Sequence, residues 1–171
     1  MTAPHKVVDD FLPKEHFDKL AKLIVWNNQT INWKLDSQIA DPRDDENKSL
    51  QYWYATSIGY WNDTPIDTTV WQITRPLVDL IEDFNVLIRI KLNFYPNTQK
   101  VLVHKTHIDY PYSHKGALLS LNTCDGYTLL NDGTKIGSVA NRMAYFDPSI
   151  PHASTTTSNQ KGRFNIQINY L

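Results

Sequence analysis

The sequence is poor in cysteine and glycine, and neither sign of charge is in excess. Its 171 residues include one cysteine, Cys124, and six glycines, and the formal net charge is −1. A single cysteine excludes an internal disulfide framework and is typical of a reducing compartment, so we expect a cytoplasmic protein. The balanced charge offers no basic stripe that would indicate a nucleic-acid or membrane partner.

Long apolar runs and the common nucleotide-binding motifs are also missing. No run approaches the roughly 20 apolar residues that cross a bilayer. The start, MTAPHKVVDDFLP, lacks the basic and apolar regions of a secretory signal. No G-x-S-x-G, P-loop or G-x-G-x-x-G motif occurs. The length favours one domain spanning residues 1–171.

The N-terminal half has a helical period. Apolar residues recur at helical spacing from Phe17 to Val25 and again over 67–84, where we predict a kink or break at Pro76. The polar, charge-rich segment between them predicts a loop over 36–50, which we regard as a candidate lid. The aromatic stretch YWYATSIGYW follows. It is typical of core packing, with a substrate platform beside the loop as the alternative.

After Asn85 the apolar period changes from helical to two. VLIRIKLNFY and RFNIQINY both alternate apolar with polar residues, and four shorter apolar segments lie between them with Asp-Gly turns. We predict an α+β protein with a double-stranded β-helix (jelly-roll) core over about 86–171 and a helical part over about 7–84 packed on one sheet. The polar face of the two long strands is either solvated or lines a pocket.

The stretch VLVHKTHIDYPY contains the first candidate metal ligands. His107 and Asp109 stand two positions apart, so on a strand both side chains leave the same face, roughly 6.5–7 Å apart along the chain. His104 does not share that face. A third ligand is available in His152 of FDPSIPHAS. Two imidazoles and one carboxylate leave open positions on an octahedral ion, as in non-haem Fe(II) oxygenases. H-x-D alone is short enough to recur by chance, so a purely structural pair stays open.

Three further residues extend this hypothesis. Arg163 follows His152 on the polar face of the last strand, where a guanidinium suits a carboxylate ligand. Asn93 and Tyr95 lie on the polar face of the first long strand and offer an amide and a phenol to the same ligand.

With these residues in place, the sequence resembles the iron(II)/2-oxoglutarate-dependent dioxygenases, especially their prolyl-4-hydroxylase-like branch. The resemblance covers most of residues 7–170 and leaves 27–65 unmatched. It implies that His107, Asp109 and His152 bind Fe(II), that Arg163 holds the distal carboxylate of 2-oxoglutarate, and that Tyr95, with Asn93 as a helper, contacts this cosubstrate. The chain departs from the family in having Pro96 and Asn141 near positions where glycine is usual.

The implied reaction is hydroxylation of a C–H bond with O2 and conversion of 2-oxoglutarate to succinate. The resemblance favours a peptidyl, prolyl-type substrate or a small amino-acid-like one. Both histidines must then be neutral, and Tyr145, Asn122 and Thr155 are candidate partners that fix their tautomers. His114 is expected at the surface. Two alternatives remain open, a non-catalytic jelly-roll binding module and a cupin-like protein using Zn or Mn.

Overall fold

A computed structural model describes residues 5–26, 30–37 and 53–171 of the chain. Within these ranges the secondary structure is mostly strand, with two α-helices. The helices are α1 (Lys14–Ala21), which continues into a π-helical turn (Lys22–Trp26), and α2 (Thr68–Val78). The strands are β1 (Lys6–Val8), β2 (Lys34–Asp36), β3 (Tyr54–Trp61), β4 (Thr64–Pro65), β5 (Leu87–Pro96), β6 (Lys115–Ser120), β7 (Tyr127–Leu130), β8 (Lys135–Gly137), β9 (Arg142–Phe146), β10 (His152–Ala153) and β11 (Gly162–Tyr170).

Two antiparallel sheets form the core. The larger has the order β1-β9-β6-β11-β5-β3-β2, with β4 beside β3, and the smaller has the order β10-β7-β8. Isolated bridges from Val103 to Thr155 and from His107 to His152 place residues 103–107 beside the chain around β10. The predicted α+β class and jelly-roll core are thus confirmed.

The helices cover the apolar face of the larger sheet. Ile90 and Leu92 of β5 and Ile166 and Ile168 of β11 are fully buried in one cluster with the apolar faces of α1 and α2. The predicted alternation of both long strands is confirmed here. One detail differs, because the register shifts between Asn169 and Tyr170. Leu87, predicted on the polar face, therefore joins the helix-side cluster.

Helix α2 is shorter than predicted. The Asp67 side chain caps it by accepting a hydrogen bond from Val70 N, 3.0 Å away. Pro76 lies inside the helix instead of breaking it, and the helix ends at Val78. Leu80 follows the helix and is half exposed. Pro76 has no N–H and so removes one helical hydrogen bond, and the helix ends two residues later.

Residues 7–84 are less helical than predicted, because they also contain strands. β3 pairs with β5 along the larger sheet and is the main body of the aromatic stretch. The Tyr60 ring stacks on Trp71 of α2 at 4.9 Å, which agrees with a packing role. Residues 38–52, which include most of the candidate lid 36–50 and Tyr52, lie outside the described residues.

The backbone conformation of Asn141 explains how asparagine can stand near a position where the resembled family usually has glycine. Its φ of 63° lies in the left-handed region that favours glycine and that asparagine tolerates. Its side chain also accepts from Leu12 N and donates to Leu12 O. The asparagine thereby fixes the chain before α1 to the start of β9. Neither described helix has the length and apolar character of a membrane-spanning segment.

Candidate active site

His107 and His152 face each other across two strands. Each backbone N–H donates to the other residue's carbonyl at 2.9 Å, and the ring centroids are 4.6 Å apart. Asp109 follows on the same side, its N–H bonded to Pro148 O at 2.9 Å. One ligand atom from each of the three residues lies within 4.8 Å of the others. The predicted convergence of His107, Asp109 and His152 is therefore present in the fold.

Backbone carbonyls define the tautomer of both imidazoles. His107 Nδ1 lies 3.4 Å from Lys105 O, and His152 Nδ1 lies 3.1 Å from Ile150 O. A carbonyl only accepts, so each Nδ1 carries the proton and each Nε2 keeps its lone pair for a metal.

The predicted tautomer partners were wrong. Asn122 donates to Gly162 O, and Thr155 donates to Tyr127 O, so both side chains are engaged elsewhere. Tyr145 packs against the helix-side core.

The Asp109 carboxylate is oriented by the last strand. Its Oδ2 accepts hydrogen bonds from Gln167 Nε2 and Asn169 Nδ2. Its Oδ1 lies 3.9 Å from His107 Nε2 and 3.3 Å from Arg89 Nη2. One oxygen is thus fixed by amides, and the other faces the histidines with a lone pair directed at the site.

Arg163 lies in the same cleft, and its side chain is almost completely buried, with 1% exposure. Its neutral hydrogen-bond partners are Ser138 Oγ at 2.8 Å, Tyr127 O and Thr128 Oγ1 at 2.9 Å, and Thr155 O at 3.4 Å. No carboxylate of the described residues pairs with it. These bonds use at most four of the five guanidinium N–H groups and leave at least one on Nη2. A buried cation without an anion indicates a site for an anionic ligand.

Gly126 makes room for this guanidinium. A Cβ at Gly126 would lie 2.8 Å from Arg163 Cδ and 2.6 Å from Thr156 O, both too close for a carbon atom. The turn predicted at Asp125-Gly126 thus also serves the cleft.

Tyr95 and Asn93 line the wall between Arg163 and the histidines. The Tyr95 ring stacks on Tyr54 at 5.8 Å, and the Arg163 guanidinium carbon lies 5.6 Å from its centroid. Asn93 Nδ2 donates to Asn165 Oδ1 at 2.8 Å, while Asn93 Oδ1 is buried without a hydrogen-bond partner. The cleft encloses about 420 Å³, counting the space open to solvent. Five of the six predicted site residues line the cleft. The sixth, Asp109, lies beside it, with its Oδ1 3.9 Å from His107 Nε2.

Solved structures of prolyl hydroxylases and of an alpha-ketoglutarate-dependent epimerase are similar to this chain in fold. The viral collagen prolyl hydroxylase from Paramecium Bursaria Chlorella virus-1, solved as a 2OG complex, matches with a TM-score of 0.57 at 13% identity, over 98% of this chain and 96% of that chain. A Trichoplax adhaerens prolyl hydroxylase in complex with a hypoxia inducible factor peptide fragment gives 0.53 at 15% identity, over 98% and 83%. The non-heme alpha-ketoglutarate-dependent epimerase SnoN from nogalamycin biosynthesis gives 0.63 at 10% identity, over 99% and 78%. This chain has the fold of the 2-oxoglutarate-dependent oxygenases.

The predicted resemblance is thus confirmed at the level of the fold. No protein-family model matches the sequence, and no curated protein matches it significantly. Residue roles in this oxygenase fold therefore rest on the geometry of this chain.

The electrostatics of the cleft keep the three candidate ligands in the protonation states that suit metal binding. Burial is the main cause that lowers the pKa of His107 to about 4; His152 and Lys91 act in the same direction, and Asp109 opposes them. Burial likewise lowers the pKa of His152. Burial alone would raise the pKa of Asp109, but Arg89 and Lys91 lead a set of interactions that hold it below its usual range. At neutral pH the site therefore offers two neutral imidazoles and one carboxylate.

The other two histidines near the site have different positions. His104 is buried and its Nδ1 lies 2.9 Å from Ser154 Oγ, away from the three candidate ligands, as predicted. The prediction for His114 was wrong, because only 4% of this residue is exposed. Its ring packs against Tyr110 and Tyr112, and its Nε2 lies 3.2 Å from Asn169 Nδ2.

Four residues of the candidate site were not predicted individually. Arg89 and Lys91 of β5 and Gln167 and Asn169 of β11 project from the inner sheet face toward Asp109 or the cleft. The signal was present, since they alternate with apolar residues in register with Asn93 and Arg163. Pairing of β5 with β11 places Lys91 opposite Gln167 and Arg89 opposite Asn169.

Proposed function

We propose that this protein is an Fe(II)/2-oxoglutarate-dependent dioxygenase that hydroxylates a C–H bond. The observation that carries the proposal is the convergence of His107, Asp109 and His152, whose ligand atoms lie within 4.8 Å of one another. Two nitrogen donors and one oxygen donor on one side of an ion suit non-haem iron and leave positions for a cosubstrate and O2.

The side chains around these ligands fit the proposed cofactors. His107 and His152 hold the metal through Nε2, since their Nδ1 atoms bond backbone carbonyls. Asp109 binds through the oxygen that the β11 amides leave available. Iron(II) held there supplies oxidation of an unactivated C–H bond by O2, coupled to conversion of 2-oxoglutarate to succinate.

Arg163 fits the distal carboxylate of 2-oxoglutarate. The guanidinium is buried without a counter-anion, retains a free N–H, and lies over the Tyr95 ring. Tyr95 and Asn93 shape the wall along which the cosubstrate lies, and Asn93 Oδ1 still lacks a donor. A jelly-roll module or a Zn or Mn cupin that binds no anion would leave this buried cation without a counter-charge.

The substrate is a peptidyl residue of prolyl type or an amino-acid-like molecule. The compared prolyl hydroxylase from Trichoplax is bound to a peptide, whereas the compared epimerase belongs to small-molecule biosynthesis. The inner walls of the cleft, polar and charged, position this substrate and exclude bulk water from the metal.

The test is metal-dependent turnover of 2-oxoglutarate. Wild-type protein with added Fe(II) and O2 should form succinate, and His107→Ala and Asp109→Ala should abolish this. His16→Ala, an exposed histidine of α1, is the matched control and should keep full activity. Anaerobic protein with Fe(II) and 2-oxoglutarate should also show a visible charge-transfer band. Unchanged succinate formation in either ligand variant would contradict the assignment.

A further inference from the structure

The cleft holds more positive charge than the proposed cosubstrate accounts for. Arg89, Lys91 and Arg163 all project from the inner face of β5 and β11, and Asp109 is the carboxylate among them. Arg163 is assigned above to the distal carboxylate of 2-oxoglutarate. Arg89 is paired with Asp109, at 3.3 Å. Lys91 is left over.

Lys91 has no close counter-charge among the described residues. Within residues 5–26, 30–37 and 53–171 it makes no ion pair and no side-chain hydrogen bond, although it lines the cleft beside His107 and His152. Asp109 and Asp36 attract it only over longer distances, and burial with the repulsion of Arg89 outweighs them, lowering the pKa of Lys91 to about 7. An ammonium in such a place is unfavourable unless an anion joins it.

The register of the strands separates Lys91 from the Arg163 end. Arg163 lies opposite Tyr95, whereas Lys91 lies opposite Gln167, four positions further along β11. At the rise of a strand this is roughly 13 Å. Gln167 also holds Asp109, so Lys91 lies at the metal end of the cleft. The distal carboxylate assigned to Arg163 therefore lies away from Lys91 along this wall.

Arg89 reinforces this positive end. Its Nε donates to Asn169 Oδ1 at 3.2 Å, and its guanidinium carbon lies 5.3 Å from the Tyr110 ring centroid. Its Nη2 is buried and makes no hydrogen bond of good geometry, only the 3.3 Å contact with Asp109. Two cationic side chains two positions apart on β5 therefore face the metal end.

We infer that the primary substrate carries a carboxylate, which Lys91 binds directly and Arg89 attracts. The inference rests on the proposed function and narrows its substrate class to carboxylates, whereas an internal prolyl residue is uncharged. Two sources supply this group, a free amino acid or similar small acid, and an acidic side chain of a peptide. In both, the bound carboxylate fixes the distance from the metal to the C–H bond that is attacked.

The test is the preference for acids over amides. Protein loaded with Zn(II) and 2-oxoglutarate is titrated calorimetrically with free L-amino acids, with their carboxamides, and with blocked tripeptides centred on Asp, Glu, Asn or Gln. We expect at least one acid to bind about tenfold more tightly than its amide, since a charge-assisted contact is lost in the amide. Free amino acids and blocked acidic peptides separate the two sources.

Variants assign the preference to Lys91. Lys91→Met should remove the difference between acid and amide, and Lys91→Arg should restore most of it. Lys100→Met, an exposed lysine in the loop after β5, is the matched control and should behave as wild type. The affinity of Lys91→Met for 2-oxoglutarate should stay within about twofold of wild type, because Arg163 is intact.

Three results would overturn the inference. In the first, no acid in the panel binds more tightly than its amide. In the second, the preference for the acid survives in Lys91→Met. In the third, Lys91→Met loses much of its affinity for 2-oxoglutarate, which would assign Lys91 to the cosubstrate. Failure of the proposed function differs from all three, because wild-type protein loaded with Zn(II) would then bind no 2-oxoglutarate at all.

Discussion

Replacing Arg163 with methionine tests the cosubstrate site most directly. Methionine keeps much of the side-chain volume but removes the charge and every N–H donor. A hydrogen bond between charged groups contributes about 1.5–3 kcal/mol, and this guanidinium has at least one N–H free for a carboxylate. A loss of about 2–3 kcal/mol corresponds to a 2-oxoglutarate affinity that is about 30- to 150-fold weaker.

The stability of the ligand-free protein should change much less. The wild-type guanidinium is buried without an anion, so removing it relieves a desolvation penalty while Ser138 and Thr128 lose a hydrogen-bond donor. These effects oppose each other. We therefore expect the melting temperature of metal-loaded Arg163→Met without 2-oxoglutarate to lie within a few degrees of wild type. Breaking a paired buried charge would instead cost about 3–5 kcal/mol.

Thermal unfolding with Zn(II) in place of iron measures both effects without turnover. At a 2-oxoglutarate concentration about 100 times the wild-type Kd, the ligand stabilises the protein by about 2.7 kcal/mol. For a chain of this size that is a rise of roughly 5–10 °C. In Arg163→Met the same concentration should raise the melting temperature by only roughly 1–3 °C.

Arg142→Met is the control for this experiment. Arg142 pairs with Asp9 at 2.6 Å on the outer side of β9, and about half of the Asp9 side chain is exposed. This variant should keep the full response to 2-oxoglutarate. If Arg163→Met also kept it, or lost several kcal/mol of stability with an unchanged response, Arg163 would be a structural residue and the reasoning would fail.

Three further outcomes follow from the site. Asn169→Ala removes a donor to Asp109 and should weaken Zn(II) affinity by about 10- to 100-fold, measured by chelator competition, less than Asp109→Ala does. Gly126→Ala should weaken 2-oxoglutarate binding more than metal binding, because the new Cβ would lie 2.8 Å from Arg163 Cδ and displace it. The metal-free protein should lose stability as the pH falls from 6.5 to about 4. In this range the histidine is protonated in the unfolded chain, whereas His107 of the folded protein stays neutral because its pKa is lowered to about 4. The loss should reach up to about 3 kcal/mol by urea unfolding and shrink in His107→Gln; an equal loss in that variant would refute the cause.

Local sequence patterns were sufficient to predict features that depend on a single strand or helix. The period-two alternation of β5 and β11 predicted both faces, and the spacing of His107 and Asp109 placed both side chains on one face. The end of α2 was mispredicted because the apolar spacing continues past Val78, whereas Leu80 lies outside the helix. A pattern of apolar residues does not say where backbone hydrogen bonding stops.

The support of the site depended on contacts that no local pattern contains. Gln167 and Asn169 were predicted on the polar face, but their contact with Asp109 requires the register of β11 beside the 107–109 segment. The tautomer partners were sought among side chains, although both imidazoles bond backbone carbonyls two residues earlier. His114 was predicted at the surface because nothing in the sequence shows that Tyr110 and Tyr112 fold over it.

The two faces of the central strands have opposite energetic roles. On the helix side, Ile90 and Ile166 are fully buried, and burial of such side chains stabilises the protein by about 1.5–3 kcal/mol each. On the inner side, Arg163 and Lys91 make no ion pair with a carboxylate of the described residues, and their desolvation opposes folding. The apolar face thus stabilises a sheet whose other face is unfavourable until ligands arrive. The protein should accordingly be most stable when metal, cosubstrate and an acidic substrate are bound together, and the metal, which adds positive charge to the cleft, should tighten the binding of the anions.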